Sequence, residues 1–191
     1  MRKLVYFMMV SLDGFAEAPG GRIDPLAPDV ELHRFCNQLT AAMGGMLYGR
    51  RLFEVMEVWR TYGTEPPTAS HEMEFARIWR QKPKYVFSRT LQRVAHDDLT
   101  LVRGDAGEYV RNLKAQPGGD LAVGGPDLAA SLIRLGMVDE FALAIQPVIL
   151  GGGKPFLPPL DRPLSLRRIE TREFASGATL LRYQLAPGPA A

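Results

Sequence analysis

The amino-acid sequence predicts an α/β protein with three layers, in which helices cover both faces of a mostly parallel central sheet and antiparallel strands are added last. Two observations predict this class. Short apolar runs alternate with amphipathic stretches through about the first 140 residues, a pattern typical of parallel strands joined by helices. The remaining chain contains strand-like segments around a turn, which is typical of an antiparallel edge.

The composition fits one globular domain, which we expect over residues 1–186, with a disordered tail over 187–191. Of the 191 residues, 46% are hydrophobic, so the chain can bury a substantial core. The formal net charge of +2 gives no support for a nucleic-acid partner. The one cysteine, Cys36, favours a cytoplasmic location and is expected in the core. The N-terminal apolar run is too short to span a membrane.

The N-terminal half shows the alternation most clearly. Residues 3–11 form a nearly continuous apolar run that ends at Asp13-Gly14, as expected of a central strand buried on both faces. Residues 15–28 contain several glycines and prolines and are predicted to form a loop. The elements expected next are a helix from its cap Asp29 to about residue 43, a strand over 46–49, a short helix over 51–59, a loop over 60–69 containing Pro66-Pro67, a helix over 70–81 capped by Ser70, and a strand over 84–88.

The C-terminal half continues the pattern and then changes to strands. A late hairpin is expected, with strands near 164–172 and 179–185 and Gly177 in the turn between them. The elements expected before it are a strand over 99–102, a helix over 106–115, a strand over 120–123, a helix over 127–135, and a long strand over 140–150 that ends at Gly151-Gly152-Gly153.

Three predicted strand ends carry glycine, serine or arginine in a form that suits a phosphorylated dinucleotide. Glycine lets the backbone approach a pyrophosphate, and free amides at a helix start attract anions. Guanidinium donors suit a ribose 2′-phosphate. Taken singly, a tight turn remains the alternative for the Gly-Gly-Pro junction and a surface turn for the Ser-Arg junction. The three junctions are Gly49-Arg50-Arg51, Ser88-Arg89 and Gly124-Gly125-Pro126-Asp127.

The usual Gly-x-Gly-x-x-Gly fingerprint after the first strand is absent, so we expect a binding mode other than the ordinary Rossmann one. A set of short motifs instead occurs in order along nearly the whole chain. This set resembles the reductase domain of bacterial riboflavin biosynthesis, the RibD C-terminal domain, which shares its fold superfamily with dihydrofolate reductase. The motifs are Ser11-Leu12-Asp13-Gly14, Leu47-Tyr48-Gly49-Arg50, Val86-Phe87-Ser88-Arg89, Val123-Gly124-Gly125, and Asp139-Glu140-Phe141 with residues 147–153.

The resemblance implies a dihydrofolate reductase-like fold, NADPH as cofactor, a homodimer, and roles for particular residues. The substrate pocket would involve Ser11, Leu12, Asp13, Pro147, Gly151 and Gly152. The cofactor phosphates would contact Gly49 and Arg50, with Arg51 beside them, while Gly124, Gly125 and Asp127 would hold the pyrophosphate. The adenosine 2′-phosphate, which favours NADPH over NADH, would contact Ser88 and Arg89.

The function expected from the resemblance is the NADPH-dependent reduction of a small heterocyclic substrate, similar to 5-amino-6-(5-phosphoribosylamino)uracil reductase. Two alternatives stay open: a dihydrofolate or pteridine reductase, and an inactive NADP(H)-binding module of the same fold. The chain lacks the cysteines of the zinc deaminase that usually accompanies the riboflavin enzyme. It also lacks the tryptophan that dihydrofolate reductase carries shortly after its first strand.

Hydride transfer also needs a proton source, for which Asp13 is the first candidate and Asp24 the second. The alternatives are a turn residue for Asp13 and a solvated loop acid for Asp24. The three histidines are scattered without the spacing of metal ligands, so no metal is predicted. The two tryptophans are expected in the core or at a dimer contact. Tyr48 is expected to pack in the core, with a position facing the site as the alternative.

Overall fold

The computed structural model describes residues 1–63, 69–93 and 96–186, so the expected tail over 187–191 and the Pro66-Pro67 loop lie outside the described residues. The helices are α1 (Val30–Ala42), α2 (Arg50–Met56), α3 (Val58–Thr61), α4 (Ser70–Gln81), α5 (Ala106–Ala115) and α6 (Pro126–Arg134). The strands are β1 (Leu4–Ser11), β2 (Phe15–Glu17), β3 (Gly45–Gly49), β4 (Lys84–Phe87), β5 (Leu99–Val102), β6 (Leu121–Gly124), β7 (Glu140–Gln146), β8 (Lys154–Pro155), β9 (Leu166–Glu173) and β10 (Thr179–Leu185).

Within the described ranges, eight of these strands form one sheet in the order β5-β4-β3-β6-β1-β7-β10-β9. The first six run parallel, and β10 pairs antiparallel with both β7 and β9. Strand β1 lies in the interior, with Tyr6 opposite Val123 of β6 and Phe141 of β7. The predicted mostly parallel sheet with antiparallel C-terminal strands is therefore confirmed.

Helices cover both faces because successive side chains of a strand point to opposite sides. Tyr6 packs in a buried cluster that includes Val110 of α5 and Leu132 of α6. On the other face, Cys36 of α1 packs in a cluster with Leu180. The three layers and the buried position of Cys36 are as expected from the sequence.

Local capping chemistry was predictable at one helix and not at another. The Asp29 side chain accepts a hydrogen bond from the Leu32 amide at 3.0 Å, which confirms it as the cap of α1. Ser70 is instead the first residue of α4, and Ala69 precedes the helix without a side-chain cap, so that prediction was wrong. The helix expected over 51–59 is divided into α2 and α3, which meet at Glu57.

Two other predictions were too simple near the carboxyl ends of the strands. The expected loop over 15–28 contains β2 and two short 3-10 turns, Pro19–Gly21 and Asp24–Leu26. The long strand expected over 140–150 ends at Gln146, because its pairing with β10 stops at Ile145 and proline follows, which has no amide to donate.

Candidate functional site

A cavity of about 370 Å³ opens where β3, β4 and β6 end and where α2 and α6 begin. Carboxyl ends of parallel strands are the usual ligand-binding edge of such a sheet. The walls of the cavity are mainly apolar, and its rim is charged. The apolar lining residues are Met8, Ala16, Ile23, Leu52, Val55, Phe87, Pro126 and Leu128, and the charged ones are Glu17, Arg50, Arg51, Asp127 and Lys154.

Five of the eight residues predicted for the cofactor line this one cavity: Gly49, Arg50, Arg51, Gly125 and Asp127. Ser88 and Arg89 lie next to it, in the bend that follows β4. The Arg50 guanidinium donates to the Thr90 hydroxyl at 3.0 Å, and the Ser88 hydroxyl accepts from the Leu91 amide at 3.0 Å. Arg50 therefore links the cavity to the Ser88-Arg89 turn.

The glycines of the Gly124-Gly125 junction are required by the backbone and by packing. Gly125 has φ +89°, which favours glycine, and it precedes α6 without a side-chain cap. A Cβ atom at Gly124 would stand 2.7 Å from Cδ2 of Leu52, so a larger residue there would displace the Leu52 side chain. The start of α6 consequently faces the cavity with its backbone amides uncovered by a capping side chain.

Four charged side chains form a chain of ion pairs along the rim of the cavity. Arg51 lies 3.0 Å from Glu17 and 3.9 Å from Asp127, and Asp127 lies 2.7 Å from Lys154. Glu17 and Lys154 are opposite each other in the antiparallel pair formed by β2 and β8. Nothing in the sequence indicated Glu17. Lys154 follows three glycines, but this segment does not complete the Gly-x-x-x-x-Gly-Lys-Ser/Thr pattern of a phosphate loop, so Lys154 was not predicted for the site either.

The residues predicted for the substrate pocket lie together, but they do not line this cavity. Ser11 ends β1 and Leu12 follows it, while Pro147 follows β7, the adjacent parallel strand. The Leu12 amide donates to the Val148 carbonyl at 2.8 Å, which ties the two strand ends together. The Ser11 hydroxyl accepts from the Phe15 amide at 3.0 Å and is buried.

Asp13 connects the same two segments through its carboxylate, which accepts the amides of Leu150 at 3.1 Å and Gly151 at 2.7 Å. The Ser11 hydroxyl and these two amides hold the pKa of Asp13 below its ordinary value. The carboxylate is therefore ionised at neutral pH, a state that suits anchoring the loop better than giving up a proton. Its role as proton donor stays a prediction. Asp24 pairs with Arg22 at 2.8 Å on the surface, which also lowers the pKa of Asp24.

Gln146 is a third residue that was not predicted by name from the sequence. It is buried at the end of β7 beside Ser11, its register partner on β1. Its side-chain nitrogen has no hydrogen-bond partner among the described residues. A buried donor without a partner is costly and calls for an explanation.

The remaining candidates have structural surroundings. Trp79 is fully buried and donates to the Tyr48 hydroxyl at 3.1 Å, so both pack in the core as expected. His33 and His71 are not scattered, since their rings meet edge to face with centroids 4.8 Å apart. Across the described ranges, no three His, Cys, Asp or Glu side chains group as a metal site. In the same part of the chain, no helix is both long and apolar enough to cross a membrane.

Comparison with known proteins identifies the family of this chain. The sequence matches the RibD C-terminal domain over residues 2–180. The chain belongs to this family. A Bacillus subtilis relative, the uncharacterized protein YyaP, is 35% identical over 185 residues, which cover 95% of this chain and 94% of the relative.

Solved structures show the same fold at low sequence identity. The Thermotoga maritima diaminohydroxyphosphoribosylaminopyrimidine deaminase/5-amino-6-(5-phosphoribosylamino)uracil reductase matches with a TM-score of 0.67 and 14% identity, covering 97% of this chain and 57% of that protein. Enterococcus faecalis dihydrofolate reductase, solved in complex with NADP(H) and RAB-propyl, matches with a TM-score of 0.64 and 15% identity, covering 97% of both chains. The predicted dihydrofolate reductase-like fold is confirmed.

Proposed function

We propose that this member of the RibD C-terminal domain family is an NADPH-dependent reductase of a small heterocyclic substrate. One observation carries the proposal: Arg50, Arg51 and the glycine-led start of α6 line a single cavity with apolar walls at the carboxyl ends of parallel strands. Cationic donors and helix-start amides suit phosphates, and apolar walls suit flat rings. The named activity of the Thermotoga relative and the NADP(H) bound to the Enterococcus reductase support the same interpretation.

The residues present fit such a cofactor. The positive φ of Gly125 and the absence of a side-chain cap at the start of α6 would let the backbone there approach a pyrophosphate. Arg50 reaches from the cavity to the turn that holds Ser88 and Arg89, which would take the 2′-phosphate. When bound, NADPH would supply the hydride. The apolar walls would keep water away from the reacting ring.

The substrate would bind at the joined ends of β1 and β7. Asp13 holds the loop after β7 against the end of β1, which shapes one side of this region. The unpartnered amide of Gln146 offers a hydrogen-bond donor to a carbonyl or ring nitrogen of a heterocycle. Ser11 and Gln146 lie opposite each other in the register of two neighbouring strands, so both would face the same ligand edge.

Calorimetric titration of the purified protein with NADPH and NADH tests the cofactor. We expect Arg89→Ala to weaken NADPH binding by roughly 10-fold or more, since a charge-assisted hydrogen bond to the 2′-phosphate is lost, and to leave NADH unchanged. Arg134→Ala is the matched control, because it removes the same charge from the exposed far end of α6.

Two outcomes would contradict the proposal. Equal losses for NADPH and NADH would move the 2′-phosphate away from Arg89. Wild-type protein that binds neither nucleotide at millimolar concentration would overturn the reductase function itself. Once binding is established, NADPH oxidation measured with pterins and the ribosylaminopyrimidinone identifies the substrate class; binding without turnover of any of them would favour the inactive module.

A further inference from the structure

The Asp127–Lys154 ion pair stands at the place in the cavity where the proposed cofactor would bring its pyrophosphate. We propose that Lys154 is a phosphate-binding residue of this site and that Asp127 is a positioning residue that holds the Lys154 ammonium group. The inference rests on the proposed function. It starts from the distance of 2.7 Å between Lys154 Nζ and Asp127 Oδ1 and from the position of both residues on the cavity lining.

The backbone before Lys154 is built to deliver this side chain to the cavity. Gly153 has φ +132°, and a Cβ atom there would stand 1.9 Å from the Glu17 carbonyl oxygen. Only glycine therefore allows β8 to lie so close to β2. The antiparallel pairing of these two strands sets Lys154 opposite Glu17 and directs it towards the start of α6.

The chemistry of the two side chains assigns their roles. Asp127 lies in the first turn of α6, and its carboxylate accepts hydrogen bonds but repels a phosphate. The lysine ammonium group carries three donors, of which Asp127 uses one. Lys154 can therefore bind a phosphate oxygen while it still neutralises Asp127. Arg51, 3.9 Å from Asp127 and paired with Glu17, contributes a second cation to the same rim.

An ion pair that served only to stabilise the fold would not affect nucleotide binding in this way. The side chains of Asp127 and Lys154 are 68% and 31% exposed, and ion pairs at that exposure add little to stability. If stability were their only role, substitutions at either position would leave nucleotide binding unchanged.

A double-mutant cycle on the full chain separates the two cases, with NADPH affinity measured by calorimetry. We expect Lys154→Met to weaken NADPH binding by roughly 10- to 100-fold, because it removes a charge-assisted contact and leaves Asp127 beside the phosphate without its partner at 2.7 Å. Asp127→Asn alone should cost less. The double variant should bind NADPH more tightly than Lys154→Met alone, since the repelling carboxylate is then absent.

A second ligand and a control variant test whether Lys154 acts on the pyrophosphate part of NADPH. Adenosine 2′-monophosphate carries no pyrophosphate, so Lys154→Met should leave its affinity unchanged while weakening NADPH. Lys3→Met is the matched control, because it also breaks a 2.7 Å ion pair of a lysine. Its partner is Glu140, and the pair lies at the amino ends of β1 and β7, away from the cavity. Thermal unfolding verifies that each variant is folded.

The outcomes are distinct. Lys154→Met protein that binds NADPH as tightly as wild type, or that loses both ligands equally, overturns the phosphate role of Lys154. A double variant no better than Lys154→Met overturns the positioning role of Asp127. Wild-type protein without NADPH affinity overturns the proposed function, and this inference with it, before any variant is compared.

Discussion

Replacing Gly153 with alanine tests whether the close contact between β2 and β8 holds the charged rim in place. The added methyl carbon would stand 1.9 Å from the Glu17 carbonyl oxygen. Nonbonded heavy atoms prefer a separation of about 3.5 Å, so the two strands would have to separate by more than about 1 Å. The residue would also be strained at φ +132°.

Alanine substitutions at the two neighbouring glycines separate the cost of the clash from the cost of backbone strain. Gly152 has no positive φ, and a methyl carbon added there would have no neighbour closer than 3.9 Å, so Gly152→Ala should change stability by less than about 0.5 kcal/mol. Gly151 has φ +70° with open space around it, so Gly151→Ala should cost only backbone strain, about 1–2 kcal/mol. Gly153→Ala should combine strain of about 1–3 kcal/mol with a clash of similar size.

Thermal unfolding and NADPH titration of the three variants are the assays. For a chain of this length 1 kcal/mol corresponds to roughly 2–4 °C in Tm, so we expect Gly153→Ala to lower Tm by at least about 4 °C. Because Lys154 follows directly, displacing it should lower NADPH affinity by up to the roughly 100-fold expected when its contact with the phosphate is lost. If Gly153→Ala behaves like Gly151→Ala in both assays, the close approach of β8 to β2 is refuted.

Two further predictions concern buried polar groups. Burial and the neighbouring His71 lower the pKa of His33 in the folded protein, so the unfolded protein protonates His33 first as the pH falls. The contribution of His33 to stability should therefore be complete above about pH 6.5 and decline as the pH falls towards the lowered pKa. His33→Asn should flatten the dependence of Tm on pH between about 7 and 5.5. An unchanged slope in that variant would contradict this assignment. Gln146→Met removes a buried hydrogen-bond donor that has no partner in the described structure, so we expect an unchanged or higher Tm. The KM for the heterocyclic substrate should rise, because the substrate loses this donor. An unaltered KM would show that the Gln146 amide does not contact the substrate.

Elements with a strong local signal were predictable from the sequence. The apolar run of β1, the Asp29 cap and the boundaries of α5 each depend on residues close together in the chain, so periodicity and capping chemistry are sufficient. The glycine and arginine residues at strand ends were found for the same reason, because backbone freedom and charge are properties of single residues.

Features that depend on distant contacts were not predictable. Strands β2 and β8 are three and two residues long and exist because they pair with each other, with no periodicity to reveal them. The end of β7 depends on where β10 stops pairing. Likewise, His33 and His71 meet only because α1 packs against α4.

The sequence by itself determined the α/β class, the order of the main strands and helices, and the glycine and arginine residues at three strand ends, since these follow from side-chain pattern and backbone preference over a few neighbouring residues. Only the tertiary structure decided that Glu17, Arg51, Asp127 and Lys154 share one rim and that the Ser11–Asp13 segment joins the loop after β7. The physical reason is that ion pairs and hydrogen bonds act over a few ångströms, and such distances between remote residues are set by the packing of strands and helices.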